Sequence, residues 1–210
     1  MIKRKITQRL EQMRKDGGKY ALLIDGARQV GKTFIVRAFA KAHYEEFIEI
    51  NFLKMKGAAS IFENVEDEKD VLTKLSTFVK RDFRKGNTLV FFDEVQRCPE
   101  AVTYVKFLVE EGSCHYVLSG SLLGVELKNV RSYPVGYMDE VKMYPLDFEE
   151  FVLAEGERPE LVEAARDAWA TGRKLDKVYH DRLMKLWRLY LVVGGMPAAV
   201  QKYLDTRNIS

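Results

Sequence analysis

Gly26-Ala27-Arg28-Gln29-Val30-Gly31-Lys32-Thr33 is the stretch from which the rest of the chain can be read. It matches G-x-x-x-x-G-K-[ST] at every fixed position. Glycine at each end of the variable run lets the backbone curl around a phosphate. Successive N–H groups and the positive end of the following helix then face the anion. Lys32 would neutralise β/γ-phosphate charge during the reaction, and the Thr33 hydroxyl would ligate a magnesium ion. The flanks agree with this reading. Tyr20-Ala21-Leu22-Leu23-Ile24 is an apolar run of buried-strand length, and Ile35, Ala38, Phe39 and Ala42 mark one face of a helix.

A second stretch, Leu89-Val90-Phe91-Phe92-Asp93-Glu94, places two acids after a buried strand. Open parallel sheets bind their ligands at that end of the strands. Asp93 is expected to hold the metal, and Glu94 to polarise the attacking water as general base. A third, Leu118-Ser119-Gly120-Ser121, closes the next strand. Ser119 can reach between the γ-phosphate and that water, although Ser-Gly-Ser is also ordinary turn chemistry. The guanine-specifying Asn-Lys-x-Asp is absent, so ATP is the expected nucleotide. A small-molecule kinase has little need for the Asp93-Glu94 pair, but Arg158, Arg166, Arg173 and Arg182 keep that alternative open.

Moving outward, Ile2, Ile6, Leu10 and Met13 recur at helical spacing up to Asp16-Gly17-Gly18. Phe47 to Phe52 reads as a strand, and Leu72, Leu75, Val79 and Phe83 as a helix closed by Gly86-Asn87. Glu66-Asp67-Glu68 reads as a solvated loop. Pro99 suits the first turn of a helix, Tyr116-Val117-Leu118 is a further strand, and Val141 to Leu146 a fifth. Strands alternating with helices imply βαβ units and a mainly parallel, helix-covered sheet. From Phe148 onward only helical stripes remain.

Composition narrows the class. Hydrophobic residues make up 47% and charged residues 31% of 210, enough apolar mass for a core. A net charge of +3 is too small to argue for nucleic acid, and direct nucleic-acid binding is not expected. The densest basic cluster, Lys80-Arg81 and Arg84-Lys85, reads as a solvated helix face. Cys98 and Cys114 suit a reducing compartment, and His43, His115 and His180 lack the spacing of a zinc pair. No run approaches a membrane span and no signal core follows the basic N-terminus, so a cytoplasmic location is expected.

With these motifs assembled, the chain resembles the bacterial and archaeal AAA-type ATPases. The resemblance rests on Leu23 to Thr33, Glu49-Ile50-Asn51-Phe52, Phe92-Asp93-Glu94-Val95-Gln96, Leu118 to Ser121, Tyr144 to Phe151 and Gly194-Gly195-Met196-Pro197. It implies an α/β P-loop NTPase core of the ASCE type, with strand order 5-1-4-3-2, followed by a helical lid. Ser119 falls where such proteins carry the sensor 1 polar residue. Gly195-Met196-Pro197 is similar to the Gly-x-Pro of signal-transduction ATPases, whose proline packs near adenine; Pro197 reads equally as an ordinary helix start. Members often carry a Gly-Arg or Gly-Lys pair after sensor 1. Here Gly136 precedes Tyr137, and Arg131 is the nearest arginine. Members also usually continue into a nuclease-like domain, whereas this sequence stops at Ser210.

The reading is therefore an ATPase core at 1–147 and a helical lid at 148–210, hydrolysing ATP with magnesium as a nucleotide-driven switch. The alternative is a nucleotide-gated interaction module that binds ATP and scarcely hydrolyses it. Self-association or a protein partner through the lid is expected, with Trp169, Trp187, Leu189 and Tyr190 as the surface.

Overall fold

The fold is seen in a computed structural model that describes residues 2–80, 83, 86–121 and 134–208. The chain forms two compact units, Ile6–Met143 and a second made of Tyr144–Ser210 together with Met1–Lys5.

In the first unit, β1 (Ala21–Asp25), β2 (Glu46–Asn51), β3 (Thr88–Asp93), β4 (His115–Gly120) and β5 (Met138–Lys142) form one sheet. Every pairing is parallel and the order is β2-β3-β4-β1-β5, the 5-1-4-3-2 order read from the opposite edge. Side chains alternate between two cores, as the two-residue period of a strand requires. Leu23, Ile50, Val90, Phe92, Tyr116 and Leu118 pack into one core. Leu22, Ile24, Leu89, Phe91 and Val117 pack into the other. Helices α1 (Ile6–Lys15) and α2 (Lys32–His43) supply the second core, while α3 (Glu68–Val79) and α4 (Pro99–Glu111) cover the first. The sheet is thus buried on both faces, which is why its central strands read as continuous apolar runs.

Three local expectations need correction. The fifth strand is Met138–Lys142 and not Val141 to Leu146. It is an edge strand with three charged residues in five, so it lacks the apolar run that flags central strands; Pro145, which has no N–H, cannot extend it. Glu66 and Asp67 are exposed loop as expected, but Glu68 opens α3: the Asp67 carboxylate accepts the Asp70 N–H at 2.8 Å as N-cap, and Lys80, at φ 54°, closes the helix before Phe83. Ile2 does not continue the α1 stripe. It packs in the second unit beside Leu146, Phe151 and Val200. Pro99 opens α4 as expected. The basic residues Arg81, Arg84 and Lys85 lie outside the described residues, as does Arg131.

The second unit consists of α5 (Phe148–Ala154), α6 (Pro159–Thr171), α7 (Lys177–Val193) and α8 (Pro197–Thr206). Asp147 and Glu150 form a reciprocal capping box at the start of α5. Glu150 also accepts the Lys5 backbone N–H at 2.6 Å and pairs with Arg4 Nε at 3.1 Å. Arg166 and Lys5 hold the nearby Glu149 carboxyl well below the usual carboxylate range, at about 2. Between α7 and α8 the chain passes very close to Leu146. The Leu146 N–H donates to the Gly195 carbonyl at 2.7 Å, and a Cβ on Gly195 would stand 2.2 Å from the Leu146 carbonyl oxygen. Gly195→Ala should therefore lower stability by about 1–3 kcal/mol, because a backbone atom is the obstacle. In urea the midpoint should fall with little change in slope. An unchanged midpoint would show that this turn can move aside.

Candidate nucleotide site

Strand register assembles the site. Asn51 is paired with Asp93, and Asp93 with Ser119, so three polar residues form one row across β2, β3 and β4 at their C-terminal ends. Asp93 follows Leu89 and Phe91 at two-residue intervals, which puts it on the face covered by α2. The row is buried, with Asn51 6%, Asp93 3% and Ser119 0% exposed, so its polar atoms must satisfy one another. They do so through Asp93. Ser119 Oγ donates to Asp93 Oδ1 at 2.5 Å, Asn51 Nδ2 donates to Oδ2 at 2.8 Å, and Thr33 Oγ1 donates to Oδ2 at 3.1 Å. The Asn51 carbonyl oxygen accepts the N–H groups of Leu53 and Lys54 at 3.1 and 2.9 Å, which fixes which end of its amide faces Asp93.

The loop from Gly26 to Thr33 lies over this row. Gly26 is required by close approach, since a Cβ there would stand 2.2 Å from the Met143 carbonyl oxygen. Ala27, Arg28 and Gln29 are exposed on the crest, and Val30 is buried beneath it as an anchor. Gln29 at φ 68° and Gly31 at φ 97° turn the chain through left-handed geometry into α2. Such turns direct consecutive N–H groups to one side, as an anion requires. Lys32 Nζ donates to the Gly26 and Ala27 carbonyls at 2.5 and 2.9 Å. Burial lowers the Lys32 pKa, while Glu94, Asp93 and Asp25 act to raise it. A phosphate beside this ammonium would add to the acids' side of that balance.

Glu94 sits just past β3 at φ 59°, a conformation that costs an ordinary residue roughly 1–2 kcal/mol. Strain of this kind concentrates at functional positions. Here it turns the chain so that Val95 is buried while the Glu94 carboxylate stays half-exposed. Gln96 Nε2 donates to Glu94 Oε2 at 2.6 Å.

Lys32, Thr33, Asp93, Glu94 and Ser119 are thus gathered around one loop and the strand ends beneath it. Thr33 Oγ1 and Asp93 Oδ2 are hard oxygen donors close together, which suits a magnesium ion, and the loop's N–H groups and Lys32 suit a triphosphate. Pro197 opens α8 in the second unit as its first residue. Asn51 and Gln96 lie in stretches that carry the resemblance but are not among the site residues read from the sequence. Asn51 carries a readable signal, a polar residue closing an alternating strand. Gln96 carries none, because a glutamine two positions after an acid reads as surface.

A family model described as an AAA domain matches residues 18–152. The chain belongs to that family. Among solved structures, this AAA domain is similar to Drosophila ORC bound to DNA, with 14% identity and a TM-score of 0.52 over 96% of this chain and 59% of that one. It also matches Cdc6p from Pyrobaculum aerophilum, at 12% identity and a TM-score of 0.45 over 72% of this chain and 49% of that one. The likeness to ORC speaks to the fold alone, and the chain spans about half to three-fifths of the length of the two solved chains. No curated protein sequence matches it. The chain is therefore an ATP-binding AAA-type P-loop domain, and its sheet order is that of the ASCE fold.

Proposed function

We propose that this AAA domain hydrolyses ATP to ADP and phosphate with magnesium, and that the nucleotide state drives its helical unit as a lid. The observation that carries the reading is the buried row Asn51–Asp93–Ser119, tied to the loop threonine through a shared carboxylate. A fold that needed only a glycine turn would have no reason to bury an aspartate among three side-chain donors. Bound magnesium would polarise the γ-phosphoryl group. Thr33 and Asp93 would hold it, and Lys32 would leave its own loop's carbonyls to offset phosphate charge. Glu94 would take the proton of the attacking water as the oxygen bonds to the γ-phosphorus and the bridging oxygen departs with ADP. Ser119 would hold Asp93 in place and face the γ-phosphate as sensor.

Several further readings belong to the same proposal. The core would span 1–147 and the lid 148–210, with Pro197 near the adenine. A nuclease-like domain would follow in the whole protein, which would work in the cytoplasm. Trp169 is 89% exposed and Trp187 39%, with Leu189 and Tyr190 half-buried, which supports self-association or a protein partner on the helical unit.

The test is a single-turnover assay with Mg-ATP, at substoichiometric nucleotide and at increasing protein. Hydrolysis that rises with protein concentration would indicate an arginine supplied by a neighbouring copy, a contribution worth about 10³–10⁵ in comparable enzymes. Tight binding with no turnover at any concentration would select the binding-only module instead.

A further inference from the structure

The Gln96 side chain is oriented by what it faces. A glutamate carboxylate only accepts hydrogen bonds, so the 2.6 Å contact to Glu94 Oε2 must come from the Gln96 amide nitrogen. The same nitrogen lies 3.3 Å from Ser121 Oγ, just past the end of β4. The amide therefore bridges the ends of β3 and β4 through side chains alone. This orientation has a cost at the other end of the group. The Gln96 Oε1 atom is buried and has no hydrogen-bond partner among the described residues. An unpaired buried acceptor is unfavourable, and native proteins leave few of them. Packing alone would select an apolar residue of similar length here. The strained backbone at Glu94 makes a restraint necessary, because its carboxylate stands half-exposed on a turn with no strand partner of its own.

We infer that Gln96 is a positioning residue for the general base, holding the Glu94 carboxylate towards the nucleotide by a bond anchored across to Ser121. The inference rests on the proposed hydrolysis by Glu94. Gln96 does not touch phosphate or water in this role; it restricts where the proton acceptor stands. A general base contributes about 10²–10⁴-fold, so loosening it should forfeit about tenfold or more of that.

The discriminating variant is Gln96→Met, which keeps length and removes both the bond to Glu94 and the stranded acceptor. In the full chain its kcat for Mg-ATP should fall about tenfold or more, with KM and nucleotide affinity unchanged. Its melting temperature should be equal to or above that of wild type. In the Glu94→Gln background the same substitution should cause no further loss, since the group it positions is gone. Gln96→Ala should give the same kinetic pattern and stands in if the methionine variant does not fold. Wild-type kcat in a folded Gln96 variant, alongside an inactive Glu94→Gln, would overturn this inference alone. Equal losses from Gln96→Met with and without Glu94 would overturn it too. Turnover by Glu94→Gln at the wild-type rate would remove the general base, and the positioning role with it.

Discussion

Lys32→Ala is expected to lose ATP binding altogether in a calorimetric titration that gives a clear isotherm for the wild type. Lys32 is the fixed positive charge of the phosphate loop, and its ammonium is already within the loop, on the carbonyls of Gly26 and Ala27. Truncating one member of a buried charge pair costs about 2–5 kcal/mol, or roughly 30- to several-thousand-fold in Kd. The substitution should not unfold the protein. Burial disfavours the charged lysine and lowers its pKa, which offsets what its bonds to the two carbonyls contribute to the nucleotide-free fold. Thermal unfolding without nucleotide should therefore be close to wild type, and the rise in melting temperature on adding Mg-ATP should vanish. Equal affinity in wild type and variant would remove the phosphate site from this loop.

How much of this was legible in the sequence depends on where the determining interaction lies. The loop and β3 were legible because both are local. Backbone freedom at Gly26 and Gly31, and a run of apolar residues buried on both sheet faces, are written in consecutive residues. The boundaries of α3 and β5 were less legible for opposite reasons. Asp67 looks like loop chemistry until its carboxylate is seen capping Asp70, and β5 carries the charges of an edge strand. Ile2 was misassigned because helical spacing does not say where a helix begins. Spacing shows Asn51 as the polar end of an alternating strand, but it does not reveal what Asn51 or Gln96 bonds to. Their roles come from parallel register and from a bond between the ends of two strands, and both depend on pairings far apart in the chain. The polar row had two visible components, Asp93 and Ser119, and Asn51 joined them only once the strand order was known.

Glu94→Gln should retain ATP and lose hydrolysis, and it separates the two things this site is proposed to do. The substitution keeps size and hydrogen-bonding reach but removes the proton acceptor, leaving the phosphate loop and the Asp93 row as they are. Nucleotide affinity should stay within a few-fold of wild type, while kcat falls about 10²–10⁴-fold. The new amide also meets the Gln96 amide nitrogen where a carboxylate stood at 2.6 Å, and it can still present its carbonyl oxygen there. The fold should therefore be preserved, so lost turnover cannot be credited to unfolding. Asp93 makes a useful contrast, because it accepts from Thr33, Asn51 and Ser119 together. Asp93→Asn places a donor among three donors, so it should weaken magnesium dependence and folding at once. Filter binding with labelled ATP, with thin-layer separation of ADP from the same samples, reads both quantities for each variant. If Glu94→Gln produces ADP at the wild-type rate, the proton acceptor is another group, and the strained turn after β3 serves the fold alone.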